Sequence, residues 1–216
     1  SLLWGASFLF LRLLVLDGLE PLQIVSIRMI LAALFIAPFF MRKMKKLSFY
    51  EHGFSFLLIG VLNTALPFTL FAYASVSLGA GSLSILQATV PILTALILFT
   101  LYKGEFSYFK LSGVMIGFAG LFLLVGPSGN LDLFASILCV VASLSYAIAG
   151  VYLAKTPARI SNSFIGMGSI IVGAFLMAPF LLNYSNPFTT ISATSWLYLA
   201  LLGIVNTSLA YVIFIK

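Results

Sequence analysis

The sequence predicts an all-α polytopic membrane protein organised as an inverted repeat of five-helix units. Three observations lead there: the composition, the spacing of charges between apolar runs, and a motif written twice. Of the 216 residues, 62% are hydrophobic and only 7% are charged, with a mean hydropathy of +1.19. A soluble domain carries about 25% charged residues, so this chain could not cover a water-facing surface. The net charge of +6 does not point to nucleic acid, because the basic residues sit in short loops where they set topology.

Taken in order, the apolar runs predict about eight spans. They are Leu2–Leu16, Leu22–Met41, Phe54–Ser75, Gly79–Tyr102, Lys110–Val125, Leu131–Ala154, Ser163–Leu182 and Ser195–Ile215. Most approach 20 residues, enough for a helix to cross about 30 Å of hydrocarbon. The first run is already under way at Leu2 and the last is still apolar at Lys216, so the expectation is a fragment of a longer chain. Arg42, Lys43, Lys45, Lys46, Lys103, Lys110, Lys155, Arg159 and Lys216 all fall in alternate loops. The intervening loops hold Asp17, Glu20 and Asp132. Basic loops stay in the cytoplasm, so the expected setting is a multi-pass protein of the cytoplasmic membrane with its N-terminus inside.

The repeated motif is Gly60-Val61-Leu62-Asn63-Thr64-Ala65-Leu66, which returns as Gly203-Ile204-Val205-Asn206-Thr207-Ser208-Leu209 at a shift of 143 residues. Trp4-Gly5 matches Tyr146-Ala147 at 142, and Ala37-Pro38-Phe39-Phe40 matches Ala178-Pro179-Phe180-Leu181 at 141. Spans one to three thus pair with spans six to eight. An odd number of spans separates each pair, so the second copy is upside down, an arrangement common in secondary transporters. The units are expected at 1–126 and 127–216, the second lacking two spans, for ten transmembrane helices in all.

The fourth span carries a recognisable text: Ile85-Leu86-Gln87-Ala88-Thr89-Val90-Pro91-Ile92-Leu93-Thr94-Ala95-Leu96, then Lys103-Gly104-Glu105 and Gly113 to Gly120. With Trp4-Gly5 before Arg12 and Pro21 before Arg28, the chain resembles the EamA-type family of the drug/metabolite transporter superfamily over essentially its whole length. The resemblance implies a ten-helix carrier of two inverted five-helix repeats that moves small metabolites across the cytoplasmic membrane. Many such relatives export amino acids or related compounds.

Read from the residues themselves, the candidate substrate site is Asn63, Thr64, Gln87, Pro91 and Asn206, with the matched aromatics Trp4 and Tyr146, and Arg28. Pro67 and Pro91 lack an N–H, so in an α-helix the carbonyls of Asn63 and Gln87 lose their partners. Such groups survive in a bilayer where they face protein or a water-filled cavity. The plain alternative is hydrogen bonding between helices. Trp4 and Tyr146 could line the cavity or simply pack. Arg12 and Arg28 could snorkel to the surface; Arg28 is the deeper, and a guanidinium facing the cavity suits a carboxylate.

Energy coupling to protons would need an acid within the membrane. Asp17, Glu20, Asp132 and Glu105 all lie at span ends, leaving Glu105 as a weak coupling candidate whose favoured reading is a partner for Lys103 or Lys110. Gly113, Gly117 and Gly120 suit close helix approach, within the chain or in a homodimer. His52 sits in a basic loop and Cys139 is the single cysteine, so no metal site, cofactor or catalytic constellation is expected. The functions left are a metabolite exporter, an importer or drug-efflux carrier of the same fold, and, with least support, an intramembrane enzyme. The expected partners are the lipid bilayer and a small-molecule substrate.

Overall fold

The computed structural model describes residues 2–44, 49–101, 108–125, 132–155, 162–184, 188 and 191–214. Helices α1 (Leu2–Leu16) and α2 (Pro21–Met44) are joined by a turn in which Gly18 takes φ +90°, a conformation that a Cβ disfavours. Pro21 opens α2, where its missing N–H costs nothing. Helices α3 (Phe49–Gly60) and α4 (Leu66–Ala74) are joined without a break by a π-helical turn, Val61–Ala65. The next run is broken: α5 (Ala80–Gln87) stops, Ala88 and Thr89 form a turn, and α6 (Val90–Leu101) restarts with Pro91 in its first turn. Then come α7 (Tyr108–Val125), α8 (Leu133–Lys155) and α9 (Asn162–Met177), the last tightening into a 3-10 turn, Ala178–Asn183, at Pro179. Helix α10 (Ala193–Ala200) passes through a second π segment, Leu201–Leu209, into α11 (Ala210–Phe214).

The described residues form a helical, multi-pass membrane protein. Six runs are long and apolar enough to cross a bilayer: Pro21–Arg42, Gly53–Ala74, Ala80–Leu101, Leu133–Lys155, Phe164–Asn183 and Ala193–Val212. Of the eight expected spans, the first appears as a shorter apolar helix, Gly5–Leu16, and the fifth as the 18-residue α7. Large apolar side chains such as Phe109, Leu123, Phe175 and Leu182 are at least 80% exposed. Soluble proteins rarely display such a surface; in a bilayer it is the lipid face.

The core lies where the two halves of the chain interlock. Helix α2 packs most extensively against α9, α4 against α8, and the second π segment against α2. Close approach depends on glycine at two places. A Cβ on Gly203 would stand 2.7 Å from the Arg28 carbonyl oxygen, and one on Gly173 would stand 2.7 Å from Met29 Cε. Leu14, Ile24, Met29, Ile36, Ile59, Ile165, Ile170 and Leu202 are fully buried in this seam.

Candidate functional site

Both copies of the Asn-Thr motif fall in π-helical segments, Asn63 and Thr64 in the first and Asn206 and Thr207 in the second. A π turn bonds i to i+5, inserting a residue that α-geometry has no room for and leaving carbonyls without their usual partner. In the first segment the Leu66 N–H reaches back to the Val61 carbonyl. Leu62 is then the acceptor next in line, and its partner would be Pro67, which has no N–H. The deficit is met from outside the helix, where Ser145 of α8 donates to the Leu62 carbonyl at 2.7 Å. Two residues earlier, Ser143 donates to the Leu86 carbonyl at 3.1 Å, at the end of α5 where the fourth run breaks. Helix α8 thus splints both interrupted helices with alternate serines.

Arg28 lies on α2 with 6% of its surface exposed. Its Nε donates to Thr207 Oγ1 at 3.0 Å, and its guanidinium carbon sits 3.9 Å from the centre of the Phe68 ring. Thr207 passes its own proton to the Leu202 carbonyl at 2.8 Å, a bond of the second π segment. The phenols of Tyr146 and Tyr211 lie within electrostatic reach of the same guanidinium, and no carboxylate among the described residues does. Asn63 donates its amide N–H to the Tyr211 hydroxyl. Tyr146 stacks on Phe71 at 6.3 Å, which meets Phe8 edge-on at 5.1 Å. The result is a buried cationic, hydrogen-bonded cluster with aromatic neighbours, built from both halves of the chain.

The other candidates take different places. Thr64 is fully buried against α9, donating to the Gly60 carbonyl and lying 3.4 Å from the Ser169 carbonyl. Asn206 is 3% exposed, and its side-chain nitrogen has no hydrogen-bond partner among the described residues. Gln87 is half-buried at the end of α5 and Pro91 is exposed in the first turn of α6. Trp4 belongs to α1 but its side chain lies outside the described residues, as does Glu105. Tyr211, Phe68 and the paired serines of α8 are not singled out by the sequence. Tyr211 has one signal, a phenol five residues after Asn206 in an otherwise apolar stretch.

The two ends of the bundle are closed differently. At the end carrying the 17–20 turn, Asp17 accepts hydrogen bonds from Ser192 and Ser195, and Tyr184 donates to Glu20 at 3.0 Å. Burial, together with the carboxylate of Glu20, pushes the Tyr184 phenol up to about 12. Arg12 caps the C-terminal end of α4, donating to the carbonyls of Ser75 and Val76, where a cation also complements the helix dipole. A pocket of about 300 Å³ opens here, lined by Leu13, Leu16, Asp17, Thr194, Ser195 and Tyr198. At the opposite, basic end the seam is filled by rings: Phe40 stacks on Phe164 at 4.8 Å, and Phe56 meets both edge-on at 5.9 and 5.3 Å.

Chemically the cluster offers a positive charge, hydrogen-bonding groups and ring faces. Among the described residues, no group of three His, Cys, Asp or Glu side chains could hold a metal ion. A family model of EamA-like transporters matches residues 1–126. The chain is 26% identical over 225 aligned residues to YoaV of Bacillus subtilis, an "uncharacterized transporter", covering 99% of this chain and 75% of that protein. It is 29% identical to an "uncharacterized transporter" of Archaeoglobus fulgidus, covering 93% of this chain and 72% of the relative. One solved crystal structure shares the fold with a TM-score of 0.67 at 13% identity, covering 98% of this chain and 76% of that one. With more than half its length matched by the family model, this helical bundle belongs to the EamA-like transporter family.

Proposed function

We propose that the protein is a secondary transporter that exports amino acids or related small metabolites by alternating access, with the cluster around Arg28 as its substrate site. The observation that supports this reading is that each Asn-Thr copy lies in a π-helical segment and is tied to a polar partner elsewhere in the bundle, Asn63 to Tyr211 and Thr207 to the buried Arg28. Arg28, Asn63, Asn206 and Tyr146 hold the solute, and Thr64, Gln87 and Pro91 shape the broken helices around it. Paired half-sites of this kind suit an inverted repeat of five-helix units, 1–126 and 127–216, rocking about a midplane site. The 42–46 loop faces the cytoplasm of the cell membrane, so the Asp17–Glu20 end faces out. An impermeant thiol reagent that labelled a cysteine placed at 42–46 in intact cells would overturn that orientation.

The test of function uses everted membrane vesicles carrying the full-length protein. Uptake of amino acids, nucleobases and cationic drugs is followed with and without a protonophore. Accumulation of amino acids is expected. Uptake only in right-side-out vesicles would make the protein an importer, and collapse by the protonophore would direct attention to Glu105 as the proton carrier.

A further inference from the structure

We propose that the pocket between α1 and α10, at the end of the bundle carrying the 17–20 turn, binds an organic ammonium group on a short apolar stem, with Asp17 as its counter-ion. The pocket shares no residue with the cluster around Arg28, and its chemistry stands whether or not that cluster carries a transported solute.

The sequence sets the two walls. Leu13, Leu16 and Asp17 are spaced i, i+3 and i+4, and the Asp17 N–H still bonds the Leu13 carbonyl at 2.9 Å, so the three share one helical face. Thr194, Ser195 and Tyr198 are spaced i, i+1 and i+4 on α10 and share another. The fold sets these faces around a cavity of about 300 Å³, at the lower end of the range of small-molecule sites.

Asp17 is the charge of this pocket, and its partners leave it unneutralised. Its Oδ2 accepts from the Ser192 hydroxyl at 3.1 Å and from the Ser195 hydroxyl, which leaves Oδ1 for a further donor. Two hydroxyls fix the carboxylate against α10 without cancelling its charge. Arg12, the nearest cation along the chain, spends Nη1 on the Ser75 and Val76 carbonyls. Glu20, with the Tyr184 hydroxyl on its carboxylate, adds a second negative charge to the same turn. The start of α10 does not reverse this preference. The Ser195 N–H is taken by Ser192 Oγ at 3.1 Å and both hydroxyls by Asp17, so the donors an anion would seek are already used.

The lining decides which cation fits. Calcium takes about six to eight oxygen ligands, and here half the lining is Leu13, Leu16 and Tyr198. Among the described residues no group of three His, Cys, Asp or Glu side chains could hold a metal ion. An organic ammonium matches each part. Its N–H groups meet Asp17 Oδ1 and the Thr194 hydroxyl, and its methylenes lie along Leu13 and Leu16. The Tyr198 ring, stacked on Phe10 at 5.6 Å, adds cation–π attraction. Two sources can deliver this group. Asp17 and Thr194 are exposed, which admits a soluble amine. Leu9 and Leu16 are 52% and 65% exposed along α1, so an ethanolamine lipid can lay its chains there and its headgroup in the pocket.

The test is calorimetry on the purified full-length protein in uncharged maltoside micelles, with hexylamine, hexanol and hexanoate as probes. Hexylamine should bind at least about tenfold more tightly than hexanol, the margin of one charge-assisted bond, and hexanoate more weakly than either. Asp17→Asn keeps an acceptor for Ser192 and Ser195 and should erase the margin. Leu13→Trp fills the cavity, leaves the carboxylate in place and should abolish hexylamine binding. Hexanol binding as tightly as hexylamine, or hexylamine affinity unchanged in Asp17→Asn or Leu13→Trp, would overturn the proposal. The comparison of probes on the unaltered protein decides the matter where a variant does not fold. Short-chain phosphatidylethanolamine then separates the sources: displacement of hexylamine assigns the pocket to a lipid headgroup, and no displacement assigns it to a soluble amine. Equal displacement by phosphatidylglycerol of the same chains would sink the ammonium site, since the chains alone would be what binds.

Discussion

Replacing Ser145 with alanine should destabilise the protein through the Leu62 carbonyl, which lies 83 residues away in the chain but 2.7 Å away in space. Ser145 is 4% exposed, so water cannot take the place of its hydroxyl. Two magnitudes compete. A hydrogen bond between membrane helices contributes about 0.6 kcal/mol on average and at most about 1.7, because both partners usually find substitutes. A buried acceptor left empty costs about 1–3 kcal/mol. The Leu62 carbonyl has lost its helical donors to the π register and to Pro67, so the substitute is missing and the larger effect should win, at about 1–2 kcal/mol. Pro67→Ala restores an N–H to the same starved turn. In that background the Ser145→Ala penalty should shrink to a few tenths of a kcal/mol, about the size of an ordinary helix-to-helix bond. The assay is reversible unfolding in mixed micelles, followed by tryptophan fluorescence, for the four proteins of the cycle. A penalty of the same size in the parent and in the Pro67→Ala background would refute the reasoning, since Ser145 would then be serving something other than the starved turn.

Further outcomes follow from the same geometry. Asn63→Ala and Asn206→Ala should each impair transport with membrane levels near normal; loss of protein from the membrane, seen on immunoblots, would assign them to packing instead. Gly203→Ala drives a Cβ to within 2.7 Å of the Arg28 carbonyl oxygen and should cost about 1–3 kcal/mol. Gly150→Ala, with nothing within 4 Å, should be neutral or stabilising by up to about 1 kcal/mol; thermal melts of the two compare them directly. Asp132 caps α8 through the Ala135 N–H at 3.1 Å, and that bond, with the Ser77 hydroxyl, holds its carboxyl below the usual range. A depressed carboxyl stabilises the fold above its unfolded pKa and loses that contribution as pH falls through the folded value. Asp132→Asn should therefore flatten the acid limb of the stability profile below about pH 4, and leave it unchanged if the cap does not form.

What can be read in the sequence is whatever depends on period and composition. The helical class follows from apolar runs, and the importance of the Asn-Thr pairs from their repetition at a shift of 143 residues. What cannot be read depends on register and on tertiary partners. Treating the third span as α-helix assigns the loss of a donor at Pro67 to Asn63. The π turn also starves Leu62, whose carbonyl is the one that Ser145 meets. Likewise, a proline in the fourth span suggests a kink, but the chain breaks at Ala88 and Thr89. Ser143 and Ser145 are invisible because a serine inside a helix ordinarily bonds its own i−4 carbonyl, as Ser84 does with Ala80 at 2.9 Å. Arg12 reads as a surface anchor. Only the fold brings the end of α4, 63 residues later, beneath it.

The contrast between the two ends of the bundle has a thermal consequence. One end is held by carboxylate-to-hydroxyl bonds at Asp17 and Glu20, the other by the rings of Phe40, Phe56 and Phe164. Apolar association weakens on cooling, because it carries a large heat-capacity change and draws its strength near room temperature from the entropy of water. Directional polar bonds lack that signature. If the rings seal the bundle against water, cooling loosens that end relative to the hydroxyl-bonded one, and hydrogen exchange at the two ends should diverge as the temperature falls; rings sealed only against lipid would show no such divergence.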